Sequence, residues 1–343
     1  MNYKKQFLKL MLILVFILFI IMGFNYSIDP FQQFGINKYG RGEQRKINPG
    51  IARNYKYDSI IIGTSTSQNI HKRDVKRLFN VENTINLSMS GSTQSEQEQL
   101  LNLALKYNKV KLVIYGMDMF SYTWNPGTFR SRIPDYLYSE KKLLKFKYLL
   151  NVETLNKSFS ALRRVLKGKQ DITWIDNHSY HFDNGEYNKY NVYSSAPNDR
   201  GAITMTEYNY SKMCSNFNNF LKFLDNNKNI QFKIYFVPYT MVWWYYAEKY
   251  DKIEDIIKFK YYVVNKLSDY ENVDLYEFQD EEQIYSDNNY KDILHISPQK
   301  SKEIVEKISQ SKRKVTKENY DEYMKSFLKQ LKEKEKLYKT MGL

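Results

Sequence analysis

Apolar, β-branched runs alternating with longer helical patterns predict an α/β fold. The expected form is a three-layer α/β/α flavodoxin-like domain built on a parallel five-stranded sheet, preceded by one N-terminal transmembrane helix. Two observations carry this expectation: strand-forming runs recur between residues 57 and 308, and residues 10–24 are unbroken apolar sequence. A length of 343 residues suits one large core with an insertion and tails, or two modest cores.

From the N-terminus, Lys4 and Lys5 precede FLKLMLILVFILFIIMGF, in which Lys9 lies close enough to the end to snorkel toward head groups. A helix over residues 7–24 would be about 27 Å long, close to the thickness of a bilayer core. A cleaved signal peptide is the competing reading, but the flank GFNYSIDPF lacks a small-x-small cleavage site, which favours a retained anchor. Lysines before the segment and Asp29 after it place residues 1–6 in the cytoplasm and the rest of the chain outside. The formal charge of +14 then faces anionic membrane or wall polymers, or is a solvated surface, and nucleic acid is not the expected partner. Cys214 is the only cysteine, so neither an intrachain disulfide nor a cysteine metal cluster can form.

Residues 25–56 are polar and carry Pro30, Gly35, Gly40, Gly42 and Pro49, which predicts an extended connection with little regular structure. The main domain follows over residues 57–308, with strands expected at Ser59–Gly63, Thr84–Ser88, Lys111–Gly116, Phe232–Pro238 and Val273–Phe278. A helix-like segment, Asn69 to Phe79, follows the first strand. Thr93 and Glu96 spell a capping box ahead of Leu100, Leu101, Leu103, Ala104 and Leu105, which sets a helix start just beyond Gly91.

The stretch between the third and fourth strands far exceeds what one crossover requires, so an insertion is expected at about residues 120–205, with a helical piece around Glu140 to Leu166. Its segment TWIDNHSYHFDNGEYNKYNVYSS is dense in aromatic residues. These either stack on sugar rings or reflect the bias that gives the chain 31 tyrosines. His178 and His181 form an H-x-x-H there, but a pair without a third ligand does not make a zinc site, and no metal is expected. Residues 309–343 read as a basic amphipathic helix with Tyr320, Tyr323, Phe327, Leu328 and Leu331 near helical spacing. Three placements fit it: on an anionic surface, packed on its own domain, or frayed at the terminus.

The chemistry centres on YDSIIIGTSTSQNI, residues 57–70. Ligands of parallel α/β sheets bind beyond the carboxyl ends of strands, and Gly63-Thr64-Ser65 occupies such a loop. Ser65 is then either a nucleophile whose backbone N–H can stabilise an oxyanion, or the N-cap of the next helix. A serine nucleophile needs a base, and of the four histidines only His295, in YKDILHISPQK, follows the last strand and precedes a C-terminal helix. Asp292 stands three residues before it, a spacing at which one turn can set a carboxylate against imidazole Nδ1. The bland alternative is a surface Asp and His beside a helix that starts at Ser297-Pro298.

GTS at 63–65, NLSMSG at 86–91, YGMD at 115–118 and DILH at 292–295 resemble, in order, the four sequence blocks of the SGNH/GDSL hydrolase superfamily. The resemblance covers residues 57 to about 308. It implies an α/β fold in which Ser65 is the nucleophile, His295 the base and Asp292 its partner, with the N–H groups of Ser65 and Gly91 in the oxyanion hole. No cofactor is implied. Two positions depart from the pattern. Thr64 replaces the Asp of the GDS signature, and Asp118 stands where the third block carries an Asn whose amide donates to the oxyanion. An ionised carboxylate accepts hydrogen bonds and donates none, so Asp118 is protonated, points away or has another role, or else catalysis is poor.

With its anchor, its outside domain and Asp29-Pro30 after the helix, the chain is also similar to the membrane-anchored SGNH-like proteins of bacterial surface-polymer acylation. These include the alginate acetylation proteins and the D-alanyl transfer protein of teichoic acids. That similarity implies an O-acyltransferase or esterase acting on a cell-surface polysaccharide or wall polymer, beside a multi-pass membrane-bound O-acyltransferase. A non-catalytic protein that binds polymer or assists the acyltransferase is the first alternative, and an anchored structural module is the second.

Overall fold

Runs rich in Ile, Val, Tyr and Phe become strands because β-branched and aromatic side chains pack well on a pleated surface. In the computed structural model β1 (Ser59–Ile62), β2 (Thr84–Asn86), β3 (Leu112–Met117), β4 (Gln231–Phe236) and β5 (Val273–Tyr276) form one parallel sheet in the order β2-β1-β3-β4-β5. The register aligns Ile85, Ile60, Val113, Phe232 and Val273 in one row. Every residue of β1, β2 and β3 is buried, and since successive side chains point to opposite faces, both faces of the sheet are covered there. The described residues are 3–36, 43–130, 134–141, 143–168, 186–199 and 208–343. They fall into two units, one of residues 57–102, 108–130 and 179–343, the other of residues 1–56, 103–107 and 131–178.

The strand order reverses between β1 and β3. Right-handed crossovers therefore put the helix after β1 and the helices between β3, β4 and β5 on opposite faces. Accordingly Lys72–Phe79 packs with Pro298–Ser309, while Tyr210–Asp225 packs with Ile253–Leu267. Helix Gln94–Tyr107 starts where the capping box puts it: Thr93 N–H donates to Glu96 Oε2 at 2.9 Å and Glu96 N–H to Thr93 Oγ1 at 3.2 Å. The C-terminal helix, Tyr320–Thr340, buries Tyr320, Met324, Phe327, Leu331 and Tyr338, with the Phe327 ring 4.8 Å from that of Trp244. Of its three placements, the structure has the helix packed on its own domain.

The other unit begins with Tyr3–Ile28, a single apolar helix of 26 residues, long enough to cross a membrane and extending past residues 7–24 at both ends. Beyond it the expected extended connection of residues 25–56 gives way to helix Gln44–Asn54, which buries Ile47, Ile51 and Ala52. Pro49 and Gly50 mislead in sequence because they punctuate a helix without ending it. A Cβ on Gly50 would lie 2.4 Å from Gln32 O, so glycine there lets two backbones approach. Asp29 organises the turn between the helices, accepting from the N–H groups of Gln33 (2.8 Å), Phe34 (2.9 Å) and Gly35 (2.9 Å) and from Tyr148 Oη (2.9 Å). Burial raises the Asp29 pKa in spite of these donors.

The helical piece expected at 140–166 is two helices, Leu144–Leu149 and Val152–Leu166. Asn151 divides them by capping the second, accepting from Glu153 N–H at 2.8 Å and Thr154 N–H at 3.3 Å. Phe31, Leu137, Tyr148 and Leu149 form the buried cluster of this unit. His178, His181 and most of the aromatic segment lie outside the described residues. Its end forms helix Lys189–Asp199.

Candidate active site

The sheet ends β1 at Ile62 and turns through Gly63 into a single helical turn, Ser65–Ser67. Thr64 caps that turn, its side chain accepting from Thr66 N–H at 3.4 Å. The following helix begins only at Lys72, capped by His71 rather than from Asn69. Ser65 therefore caps neither element, and its half-buried side chain is turned to another partner.

That partner is His295. Ser65 Oγ lies 2.8 Å from His295 Nε2 across 230 residues of sequence, and His295 Nδ1 lies 2.6 Å from Asp292 Oδ2. The second Asp292 oxygen accepts from the N–H groups of Leu294 (2.9 Å) and His295 (2.8 Å), which fixes the carboxylate against the ring. Burial alone would raise the Asp292 pKa. The hydrogen bond and charge of His295, with those two N–H groups, outweigh it and hold the carboxyl below its ordinary value.

Local structure holds the histidine loop rigidly. Tyr290 and Ile296 form an antiparallel bridge, Lys291 N–H donates to His295 O at 3.0 Å, and Ser297 caps helix Pro298–Ser309. Ile293, Tyr290 and Ile296 are buried beneath it, and Thr240 Oγ1 donates to Ile293 O at 3.0 Å. Asn69 ties the two loops together by donating to Ile296 O at 2.7 Å. The serine and histidine loops are thus joined through Asn69 as well as through the Ser65–His295 contact itself.

Gly91 lies in the loop after β2, with φ of +53°. This loop is stitched to the serine loop, since Met89 N–H and Ser92 Oγ donate to Gly63 O at 3.0 and 3.3 Å and Gln68 Nε2 donates to Ser90 Oγ at 3.2 Å. The glycines of the first and third sequence blocks make room for Ser67: a Cβ on Gly63 would lie 2.4 Å from its Oγ, and one on Gly116 only 2.0 Å. Ser67 Oγ is within 3.1 Å of Tyr235 Oη, a contact that passes through this gap.

Asp118 is buried and its carboxylate is occupied. Oδ1 accepts from Tyr239 Oη at 2.5 Å and from Phe120 N–H at 3.0 Å, and Oδ2 accepts from Thr64 Oγ1 at 2.5 Å. Burial, and then the charge of Asp118, push the Tyr239 pKa well above its ordinary value, so the phenol stays a donor. Asp118 was expected at the side-chain position of the oxyanion hole. Here it accepts from four groups, Thr66 Oγ1 at 3.5 Å being the fourth, and holds Thr64, the residue before Ser65. Thr64 and Asp118, the two positions where the sequence departs from the SGNH-like blocks it resembles, are thus bonded to each other. Tyr239, Ser67 and Asn69 could not be singled out beforehand, because a lone Tyr, Ser or Asn in a loop carries no pattern.

Among the described residues, no group of three or more His, Cys, Asp or Glu side chains is placed to hold a metal ion. No protein-family model matches the chain, and no curated protein matches it either.

Proposed function

We propose that the chain is a serine-dependent acyl-ester enzyme of SGNH type, an O-acyltransferase or esterase, working on a cell-surface polysaccharide from a membrane anchor. The observation that carries this is the Ser65–His295–Asp292 line, with contacts of 2.8 and 2.6 Å at the carboxyl edge of a parallel sheet. The strand order is also that of flavodoxin-like sheets, in keeping with the fold such enzymes have.

Asp292 accepts hydrogen bonds only, so it selects the tautomer with the proton on Nδ1 and leaves Nε2 free to accept from the Ser65 hydroxyl. As Ser65 Oγ bonds to the acyl carbon, its proton passes to Nε2 and the imidazolium is stabilised by Asp292. The N–H groups of Ser65 and Gly91 are the proposed donors to the oxyanion. Collapse breaks the ester C–O bond, Nε2 protonates the departing alcohol, and an acyl-serine remains. A sugar hydroxyl or water then attacks that ester with Nε2 taking its proton; the acyl–Oγ bond breaks and Nε2 returns the proton to Ser65 Oγ, which gives transfer or hydrolysis respectively.

The anchored arrangement puts this chemistry outside the cell, beside a membrane-bound O-acyltransferase that supplies acyl groups. Asp118 favours a second reading, a non-catalytic polymer-binding or accessory protein, because its acceptor-only carboxylate replaces an expected donor. A fluorophosphonate probe on the purified full chain separates the two. Rapid labelling that Ser65→Ala abolishes is expected of the enzyme; an unlabelled wild-type protein would sink the catalytic reading.

A further inference from the structure

Helix Val152–Leu166 is built inside out. Val152, Leu155, Phe159, Leu162 and Leu166 follow one stripe at i, i+3, i+7, i+10 and i+14; Leu155 and Leu162 are half-buried, the other three are exposed, and the residues the fold buries fully are the small Thr154, Ser158 and Ala161. Val152, Phe159 and Leu166 are 71%, 54% and 78% exposed. The preceding helix adds exposed Leu143, Phe146 and Leu150. Single apolar residues on a surface are ordinary, but a continuous apolar edge over two successive helices marks a contact with something apolar.

The position of this edge identifies the occupant. The Phe159 ring lies 4.9 Å from that of Phe24, in the last turns of the apolar helix Tyr3–Ile28. Asn25 Nδ2, one residue on, donates to Leu149 O at 2.7 Å. The edge therefore begins where the apolar helix ends. Exposed Lys145, Lys147, Arg163 and Lys167 lie on the same two helices, and their one acid, Glu153, is paired with Lys46 at 2.6 Å. An apolar edge with a basic border suits the headgroup–acyl boundary of an anionic bilayer.

We propose that helices Leu144–Leu149 and Val152–Leu166 form a second membrane contact, seated in the surface of an anionic lipid bilayer beside the exit of helix Tyr3–Ile28. This rests on reading Tyr3–Ile28 as a retained, membrane-inserted helix. It adds an in-plane attachment that a single spanning helix on a tether does not provide.

The test uses the full chain with Cys214→Ser, carrying one new cysteine labelled with an environment-sensitive fluorophore, in vesicles of phosphatidylglycerol and phosphatidylethanolamine. Phe159→Cys and Leu166→Cys should emit at shorter wavelength and be quenched several-fold more by shallow doxyl-labelled lipid than Ser160→Cys, which lies on the polar face. Ile17→Cys reports the spanning helix itself. Quenching at Ile17 with none at 159 or 166 overturns the proposal and leaves the anchor standing. No quenching at Ile17 overturns the anchor reading and the proposal with it. A blue shift at 159 without lipid quenching marks a protein contact and also counts against the proposal. Leu166→Glu, a change at an exposed position that the fold tolerates, should lower quenching at 159 in the same vesicles.

Discussion

Two aspartates at the same edge of the sheet have opposite surroundings. Asp292 is partly exposed, with its side chain 23% accessible, and faces a titratable imidazole. Asp118 is buried and faces three hydroxyls and a backbone N–H. Both carboxylates accept several hydrogen bonds, so acceptance alone does not separate them. What separates them is the donor: Asp292 faces an imidazole ring, as the proposed mechanism requires, whereas Asp118 faces hydroxyls and a backbone N–H and holds the serine loop. In place of the expected amide donor, Asp118 here serves as acceptor for Thr64, Thr66 and Tyr239.

The largest expected effect lies with Asp292. Asp292→Asn should keep the fold but favour the wrong imidazole tautomer, slowing fluorophosphonate labelling of Ser65 by about 1,000- to 10,000-fold. If Asp118→Asn were to cost as much in labelling, the contrast between the two residues would fail; the expectation is a change within about tenfold, with a lower melting temperature.

Next comes Asp118→Leu, which strands the buried hydroxyl of Tyr239, while Thr64 Oγ1 keeps Thr66 Oγ1 at 3.0 Å. The stranded hydroxyl should cost about 1–3 kcal/mol in a denaturant titration. Tyr239→Phe removes one donor and leaves Asp118 with the others, so a loss of about 1 kcal/mol with Ser65 labelling unchanged would show that the network is architectural.

The smallest effect concerns pH. Asp292 has a folded-state pKa below its ordinary value of 3.8, so its contribution to stability is complete above that value and is lost as pH falls through the folded one. Acid melts of wild type and Asp292→Asn should therefore converge only below about pH 3.8. Convergence at neutral pH would show that the carboxylate is not held by His295.

Much of this was legible in one dimension. The strand runs and the capping box at Thr93 and Glu96 come from local pattern, because periodicity and capping act over a few residues, while the ordered set Ser65, Gly91, Asp292, His295 is what the resemblance to the SGNH/GDSL blocks implies. Strand ends shifted by a residue or two, since the ladder stops where neighbouring strands stop pairing. Residues 25–56 were misread because proline and glycine report local backbone preference. There a long-range contact, the Gln32 backbone against Gly50, decided the outcome.

Amphipathic helices show the same limit more sharply. Tyr320–Thr340 and Val152–Leu166 both carry an apolar stripe, yet the fold buries most of that stripe in the first and leaves Val152, Phe159 and Leu166 of it exposed in the second. A stripe states that an apolar face exists; only the neighbours state what covers it.

By itself the sequence determined an apolar N-terminal helix, an α/β alternation and a short set of residues able to do acyl chemistry, because each depends on residue type and near spacing. Tertiary structure alone decided that Ser65 meets His295 rather than capping a helix, and that Asp118 turns to Thr64 and Tyr239. Those contacts join residues 230, 54 and 121 positions apart, and their geometry is set by the sheet that brings the loops together.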